Sequence, residues 1–240
     1  MIHEQNSIVG VSNKMVAKYM DAIVICYEKC FEEFGREKTR LLGNPRATNA
    51  VHAKFDRDYF LSLGLSLHKP LILVVMGSLG STSVNAIMKD ALPAVSERYQ
   101  ILFVTGKNNY EEMRKQIHAP HVKVVDYVKQ LDIMAHVDLI VCRAGATTAA
   151  EITALGTPSI LVPSPYVAHN HQFYNASVLV DHKAAVMLEE KDLNAEALSN
   201  AIDRIMSDDL LRASMHSASL ALGTPNASED ILNWCDEMKR

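Results

Sequence analysis

The chain has 240 residues, of which 48% are hydrophobic and 22% charged, a composition typical of a globular protein large enough for one or two domains. A formal net charge of -4 and a pI near 6.2 provide no basic surface for nucleic acid, which is therefore not an expected partner. No apolar stretch reaches the roughly 20 residues that cross a bilayer. Because the four cysteines lack CxxC spacing, we expect them to be reduced thiols in a cytosol.

The first part of the chain contains few predicted elements, and they do not repeat. They are a helix over 12–20, strands over 22–26 and 39–42, a turn at 43–45 and a charged linker around 54–58. Two strands and a helix are too little for an independent core. We therefore predict that residues 1–65 are the C-terminal remnant of another domain together with its linker.

From residue 70 onward, short apolar runs alternate with helical patterns. The predicted strands are 71–76, 101–104, 122–125, 139–142 and 159–162, and the helices between them are 84–97, 110–117, 129–136 and 148–155. This alternation predicts an α/β fold with a doubly wound parallel sheet over 66–222. The later predicted elements are a helix over 173–181, a strand over 185–188 and helices over 195–206 and 208–221. Residues 223–240 form a terminal helix expected to pack back on the N-terminal part.

A strand, a glycine turn and a helix start are predicted between Asp138 and Glu151. The apolar run breaks at Gly145 and restarts as an Ala-rich helical segment. Because the first N–H groups of a helix lack internal partners and lie at the positive end of its dipole, this turn suits a phosphate or diphosphate. Thr148 and Glu151 also match a capping box, so a purely structural role stands beside the nucleotide site.

A second glycine turn follows the predicted strand at 71–76. Gly77 and Gly80 stand three apart, with hydroxyl residues close by. The turn matches neither a P-loop nor a dinucleotide fingerprint, and a plain strand-to-helix connection is the alternative. Because ligands of parallel α/β folds bind at the carboxyl ends of strands, we predict that the two turns form one nucleotide site.

Glu151 requires a separate explanation. A carboxylate beside a bound diphosphate would repel it unless the side chain points sideways to hydrogen-bond donors. A ribose diol supplies two donors, and charge-assisted hydrogen bonds of about 1.5–3 kcal/mol each would offset the repulsion. The hypothesis is that Glu151 binds a ribose.

The segment 163–172 follows another strand at the same predicted edge. It contains His169 and His171, but no third ligand stands at a metal-binding spacing, so we predict no metal there. The polar side chains at 170–172 suit sugar hydroxyls better. Asp56-Arg57-Asp58 has the D-x-D form of some nucleotide-sugar enzymes, yet no apolar strand precedes it, and we interpret it as a solvated charge run.

Together these segments resemble the MurG family of bacterial UDP-N-acetylglucosamine transferases. The blocks that carry the resemblance are, in chain order, His3-Glu4-Gln5-Asn6, Asn13-Lys14, Gly43-Asn44-Pro45-Arg46, Gly77-Ser78-Leu79-Gly80-Ser81, Cys142 through Glu151, Gly156-Thr157-Pro158, Pro163, Asn170-His171-Gln172 and Asn175-Ala176. They span nearly the whole chain in the family's order.

The resemblance implies a fold and an activity. The fold would be the Rossmann-like C-terminal half of a GT-B glycosyltransferase, preceded by a remnant of the N-terminal domain. The activity would be inverting transfer of N-acetylglucosamine from UDP-GlcNAc to undecaprenyl-linked lipid I, giving lipid II for peptidoglycan synthesis, without a cofactor or metal. The protein would be cytoplasmic and bound peripherally to the inner face of the cell membrane.

The resemblance also implies substrate-binding residues. They are Glu151 at the ribose hydroxyls, Ala146, Thr147, Thr148 and Ser78 at the diphosphate, the backbone near Val128 at the uracil, Asn6 and Gln172 at the N-acetylglucosamine, and Arg46 at the cleft. The sequence departs from common family patterns at His171 and Leu79, where glutamine occurs in other members.

Two family features are missing from these 240 residues: a glycine-rich loop ending in a candidate general-base histidine, and a membrane-facing apolar patch. We therefore expect most of the donor site, little of the acceptor site, and weak or no transfer by the chain alone, with a separate N-terminal half as a candidate partner. Two alternatives stay open, a UDP-N-acetylglucosamine epimerase and a non-catalytic UDP-sugar-binding subunit.

Overall fold

Two parallel sheets form the framework of the fold. The structure is a computed structural model that describes residues 1–77 and 80–239. The smaller sheet consists of β1 (Ile2–Glu4), β2 (Ile23–Ile25) and β3 (Thr39–Leu41). The larger sheet consists of β4 (Leu71–Val75), β5 (Gln100–Val104), β6 (Val122–Val125), β7 (Leu139–Cys142), β8 (Ser159–Leu161) and β9 (Ala185–Met187).

The helices cover the faces and edges of these sheets. They are α1 (Val11–Val16), α2 (Phe31–Phe34), α3 (Pro45–His52), α4 (Arg57–Ser62), α5 (Thr82–Val95), α6 (Tyr110–Gln116), α7 (Ala146–Leu155), α8 (His171–Asp181), α9 (Ala195–Met206), α10 (Asp209–Ala221) and α11 (Ala227–Met238). In the part of the chain that the structure describes, no helix has both the length and the hydropathy needed to cross a membrane.

The larger sheet has the order β6-β5-β4-β7-β8-β9, with all neighbours parallel. Counted from β4, this is the 3-2-1-4-5-6 order of a doubly wound Rossmann fold, which confirms the predicted fold class. The direction in which strands are added reverses between β4 and β7. The crevice beyond that pair is where such folds bind ligands.

Continuous apolar strands bury both faces of this sheet. Alternate β4 residues Ile72 and Val74 pack in one fully buried cluster with α5 and α9, whereas Leu71 and Leu73 belong to a second cluster that includes Ile152 of α7. Because successive side chains of a strand point to opposite faces, every residue of the run packs in one of these two clusters. This double burial explains why the strands read as unbroken apolar runs.

The predicted helix over 129–136 is wrong. The segment instead forms two 3-10 turns, Gln130–Asp132 and Met134–His136, separated by the fully buried Ile133. The carbonyl of Asp132 accepts a hydrogen bond from the backbone N–H of Asp56 at 2.9 Å rather than from a helical N–H. A long-range backbone partner thus replaces the local one.

The N-terminal part contains four helices and strands that the sequence analysis does not predict: β1, α2, α3 and α4. Asn44 caps α3 through its side-chain oxygen, which accepts from the N–H of Arg46 at 3.0 Å, and Pro45 occupies the first helical position. Both residues favour a helix start, although the sequence reading took the segment 43–45 only as a turn. The helix packs against α7 and α11.

The terminal helix α11 contacts the smaller sheet. Trp234 is 6% exposed and forms a cluster with the fully buried Ala22 and Val24 of that sheet's region. The guanidinium carbon of Arg40 lies 4.6 Å from the centre of its ring. The division into 1–65, 66–222 and 223–240 stays a prediction, but these contacts join its first and last parts.

Replacing Trp234 by alanine should lower the free energy of unfolding by about 3 kcal/mol, since a large buried side chain would leave a cavity. Leu232→Ala on the same helix is the matched control, because Leu232 is 63% exposed and should cost less than about 0.5 kcal/mol. Urea denaturation followed by circular dichroism measures both. Equal losses would show that the tryptophan side of α11 is not buried on the small sheet.

Candidate functional site

A cleft of about 800 Å³ opens at the point where β4 and β7 end. Val75, the last residue of β4, pairs with Cys142, the last residue of β7. The turns that follow these strands therefore lie side by side, and both Gly77 and Gly145 line the cleft. Gly77 has a φ of +86°, a conformation that favours glycine at this turn.

Six of the nine predicted substrate-binding residues line this cleft: Arg46, Val128, Thr147, Thr148, Glu151 and Gln172. Asn6 and Ala146 are not among its lining residues within the described chain, although Ala146 lies between Gly145 and Thr147, which both are. Ser78 lies outside the described residues, as does its neighbour Leu79.

The N-terminus of α7 points into the site without a side-chain cap. The helix begins at Ala146, with Gly145 in extended conformation as its N-cap, and no described side chain bonds to its first N–H groups. Thr148 is therefore the third helical residue and Glu151 the sixth, so the capping box predicted for these two residues is wrong. The free N–H groups and the helix dipole favour an anion at this point.

Glu151 is buried in the wall of the cleft with both carboxylate oxygens engaged. Its side chain is 4% exposed. Oε1 accepts hydrogen bonds from Nε of Arg46 at 2.9 Å and from Nη2 of the same guanidinium, while Oε2 accepts from Nε2 of Gln130 at 3.0 Å. Arg46 reaches Glu151 because α3 packs beside α7. A buried carboxylate needs such donors, since an unpaired charge there is costly.

The loop 126–132 lines the same cleft as the glycine turns. Val128 is 5% exposed and belongs to the core cluster below the cleft, which fixes the loop backbone. The N–H of Lys129 donates to the hydroxyl of Tyr59 at 3.0 Å, which ties the loop to α4. Asp56 caps α4 by accepting from the N–H of Tyr59 at 2.8 Å. The exposed charge run at 56–58 thus starts a helix.

Arg143 lines the cleft and contacts residues that follow β4, β8 and β9, and the sequence analysis assigns it no role. Its Nη1 donates to the carbonyl of Val162 at 3.0 Å, and its Nη2 donates to Oγ of Ser81 at 2.9 Å. Nη2 also lies 2.8 Å from Oε2 of Glu190, an ion pair without the alignment of a hydrogen bond. The side chains of Arg143 and Glu190 are 11% and 10% exposed. Its position in the sequence, as a charged residue directly after a buried strand, could have indicated a role at the carboxyl edge of the sheet.

Asn6 lies behind the cleft rather than on its surface. Its Oδ1 accepts from Nδ2 of Asn175, a fully buried residue, at 3.1 Å. Asn175 also donates to the carbonyl of Ala144 at 3.2 Å and accepts from the N–H of Ser7 at 2.8 Å. Asn175 of α8 therefore links the N-terminal segment to the glycine turn after β7.

The segment after β8 completes the rim. Oε1 of Gln172 accepts from the N–H of Ser164 at 2.8 Å, which holds the loop closed. His169 and Asn170 have φ values of +53° and +52°. Within residues 1–77 and 80–239, no three histidine, cysteine, aspartate or glutamate side chains gather closely enough to hold a metal ion.

Comparisons with known proteins agree on one family. Residues 71–231 match the model described as glycosyltransferase family 28 C-terminal domain. The chain is 42% identical over 241 residues to the UDP-N-acetylglucosamine--N-acetylmuramyl-(pentapeptide) pyrophosphoryl-undecaprenol N-acetylglucosamine transferase of Limosilactobacillus reuteri, covering 97% of this chain and 65% of that protein. The chain thus spans about two thirds of the length of this curated relative.

Solved structures share the fold. The crystal structure of MurG from Acinetobacter baumannii superposes with a TM-score of 0.80 at 24% identity, covering 98% of this chain and 66% of that one. A UDP-N-acetylglucosamine 2-epimerase gives a TM-score of 0.67 at 14% identity, covering 91% of this chain and 58% of that one. At these identities the likeness shows the fold alone.

Replacing Arg143 by methionine should lower the free energy of unfolding by about 3 kcal/mol, because the buried carboxylate of Glu190 loses its counter-charge. The double variant Arg143→Met/Glu190→Met should recover most of that loss, since it leaves no unpaired charge. Chemical denaturation of the two single variants and the double variant measures the coupling. Additive losses would contradict a direct pair.

Proposed function

The chain belongs to glycosyltransferase family 28, and from that premise we propose that it binds UDP-N-acetylglucosamine in the cleft and carries the donor half of an inverting hexosaminyl transfer. The acceptor is the muramyl 4-hydroxyl of undecaprenyl-linked lipid I, and the product is lipid II. The observation that carries the proposal is the pair of glycine turns at the strand-order reversal, with a buried carboxylate beside them.

Each part of UDP-N-acetylglucosamine is assigned to the cleft residues whose chemistry suits it. The free N–H groups at the start of α7, from Ala146 to Thr148, face the diphosphate, and Ser78 is assigned to the same group from the sequence. Glu151 accepts hydrogen bonds from the ribose diol. The backbone at Val128 reads the edge of the uracil. Gln172 lines the rim of the cleft and is assigned to the N-acetylglucosamine. Asn6 is assigned to the same sugar from the sequence.

Transfer with inversion requires the acceptor hydroxyl to attack the anomeric carbon as the bond to UDP breaks. Negative charge then develops on the diphosphate. The N-terminal dipole of α7 stabilises that charge, so the helix favours the transition state over the bound donor. The proton of the attacking hydroxyl goes to a general base that we assign to no residue of this chain.

Acceptor binding is proposed to need more than these 240 residues supply. The relative from Limosilactobacillus reuteri extends beyond the aligned part, which is 65% of its length. We propose that a family N-terminal half provides the acceptor contacts and that the working protein lies peripherally on the inner face of the cell membrane, where lipid I is found. The chain alone would bind donor and transfer little.

Glu151→Gln should weaken UDP binding at least about tenfold, because losing a charge-assisted interaction costs about 1.4 kcal/mol or more. Isothermal titration calorimetry with UDP, UDP-N-acetylglucosamine and a dinucleotide measures this change and the specificity of the cleft. Glu189→Gln is a matched control, since its carboxylate pairs with Lys191 and is absent from the cleft lining. Equal UDP affinities for Glu151→Gln and the unmodified chain would remove the ribose role.

A transfer assay tests the activity itself. The chain is incubated with UDP-N-acetylglucosamine and a short-chain lipid I analogue, with and without the N-terminal third of the Limosilactobacillus reuteri relative. We expect lipid II only, or much faster, when that segment is present. Formation of an epimerised sugar product from the donor without acceptor would favour the epimerase alternative. Donor binding with no turnover in either mixture would favour a non-catalytic binding subunit.

A further inference from the structure

The Glu151 carboxylate, on the proposed nucleoside side of the cleft, already accepts three of the about four hydrogen bonds that its two oxygens can accept. Arg46 occupies Oε1 of Glu151 and Gln130 occupies Oε2. The proposed ribose diol would donate to these same two oxygens. Because about one acceptor site of the carboxylate is free and the diol donates two hydrogen bonds, a ribose that binds there must displace at least one protein donor.

Arg46 is the donor suited to leave. Its side chain is 43% exposed, whereas the Glu151 side chain is 4% exposed and fixed in the wall. An ion pair with one solvated partner is weak, since water stabilises the guanidinium when the pair opens. Gln130 lies on the loop that is tied to α4 through Lys129 and Tyr59. Its amide can stay on Oε2 while the diol takes Oε1.

A released guanidinium needs another anion in the same cleft. The lining residues Gly77, Gly145 and Thr147 mark the proposed diphosphate position, and Arg46 lines the same cavity. A nucleoside diphosphate brings two phosphates, which a planar guanidinium binds with two parallel hydrogen bonds. A nucleoside alone brings none.

We infer that Arg46 fills the ribose subsite of the empty cleft and moves from Glu151 to the diphosphate when the donor binds. The inference rests on the proposed function, because it takes Glu151 as the ribose partner. It makes diphosphate recognition dependent on occupation of the nucleoside subsite. Uridine has to displace Arg46 without compensation, whereas UDP displaces it and gives it a new partner.

Arg46→Met tests this exchange because it should change the two affinities in opposite directions. Uridine should bind about threefold more tightly, since no guanidinium competes for Oε1. UDP should bind about threefold or more weakly, since the contact with the diphosphate is lost. Nuclear magnetic resonance titration measures uridine and calorimetry measures UDP. Arg98→Met is the matched control: Arg98 pairs with Asp203 at 2.5 Å on the surface, away from the cleft, and should change neither affinity.

A second measurement on the unmodified chain stands even if Arg46→Met folds poorly. The Nε–H signal of Arg46 should be protected from solvent exchange in the free chain, lose protection with uridine, and regain it with UDP. Equal weakening of both ligands in Arg46→Met, or an Nε–H signal unchanged by uridine, would show that the ion pair persists in the complex and would overturn the inference. If the unmodified chain prefers neither uridine nor UDP over adenosine and ADP, the proposed function fails first, and the inference fails with it.

Discussion

The pairing of β4 with β7 is the constraint on which the rest of the cleft depends. These two strands are neighbours in the sheet but not in the sequence. The strands β5 and β6 lie on the far side of β4, and β8 and β9 lie on the far side of β7. Because Val75 and Cys142 end at the same level, two turns that are far apart in the chain meet at one edge. The pairing brings the free N–H groups of α7 to the same edge as the turn that follows β4, where ligands of parallel α/β folds bind.

Residues 1–65 contribute to the cleft through polar contacts as well as packing. Asn44 and Pro45 fix where α3 starts, and that start places Arg46 beside Glu151. Asn175 bonds to the N-terminal segment through Asn6 and Ser7. A hydrogen bond requires a defined distance and direction, so these contacts fix how the N-terminal part meets the glycine turn more narrowly than apolar contacts would.

The sequence predicted what depends on local pattern. The bounds of β6, β7 and α9 were confirmed to the residue, because apolar run length and turn residues define them. The start of α7 was placed two residues late, since Thr148 and Glu151 imitate a capping box while Gly145 supplies the actual cap. The segment 129–136 and the Arg46–Glu151 pair could not be predicted, because each depends on a partner about 75 or more residues away. Asp132 accepts a hydrogen bond from Asp56, and Arg46 of α3 donates to Glu151 of α7.

Under the proposed ribose role, Glu151 shows why a binding site can have its hydrogen bonds satisfied without its ligand. A buried carboxylate left without donors would destabilise the fold by several kcal/mol, so the chain has to supply substitutes for the groups that a ligand would bring. Ligand affinity is then the difference in free energy between the protein's and the ligand's hydrogen bonds to the carboxylate. Only a ligand whose donors match the geometry of the carboxylate binds more favourably than the protein groups it displaces. In such a site, stability of the empty fold and selectivity for the ligand depend on the same two oxygen atoms. A substitution there changes both, and the two effects are separated only when a ligand that lacks the charged group is compared with one that carries it.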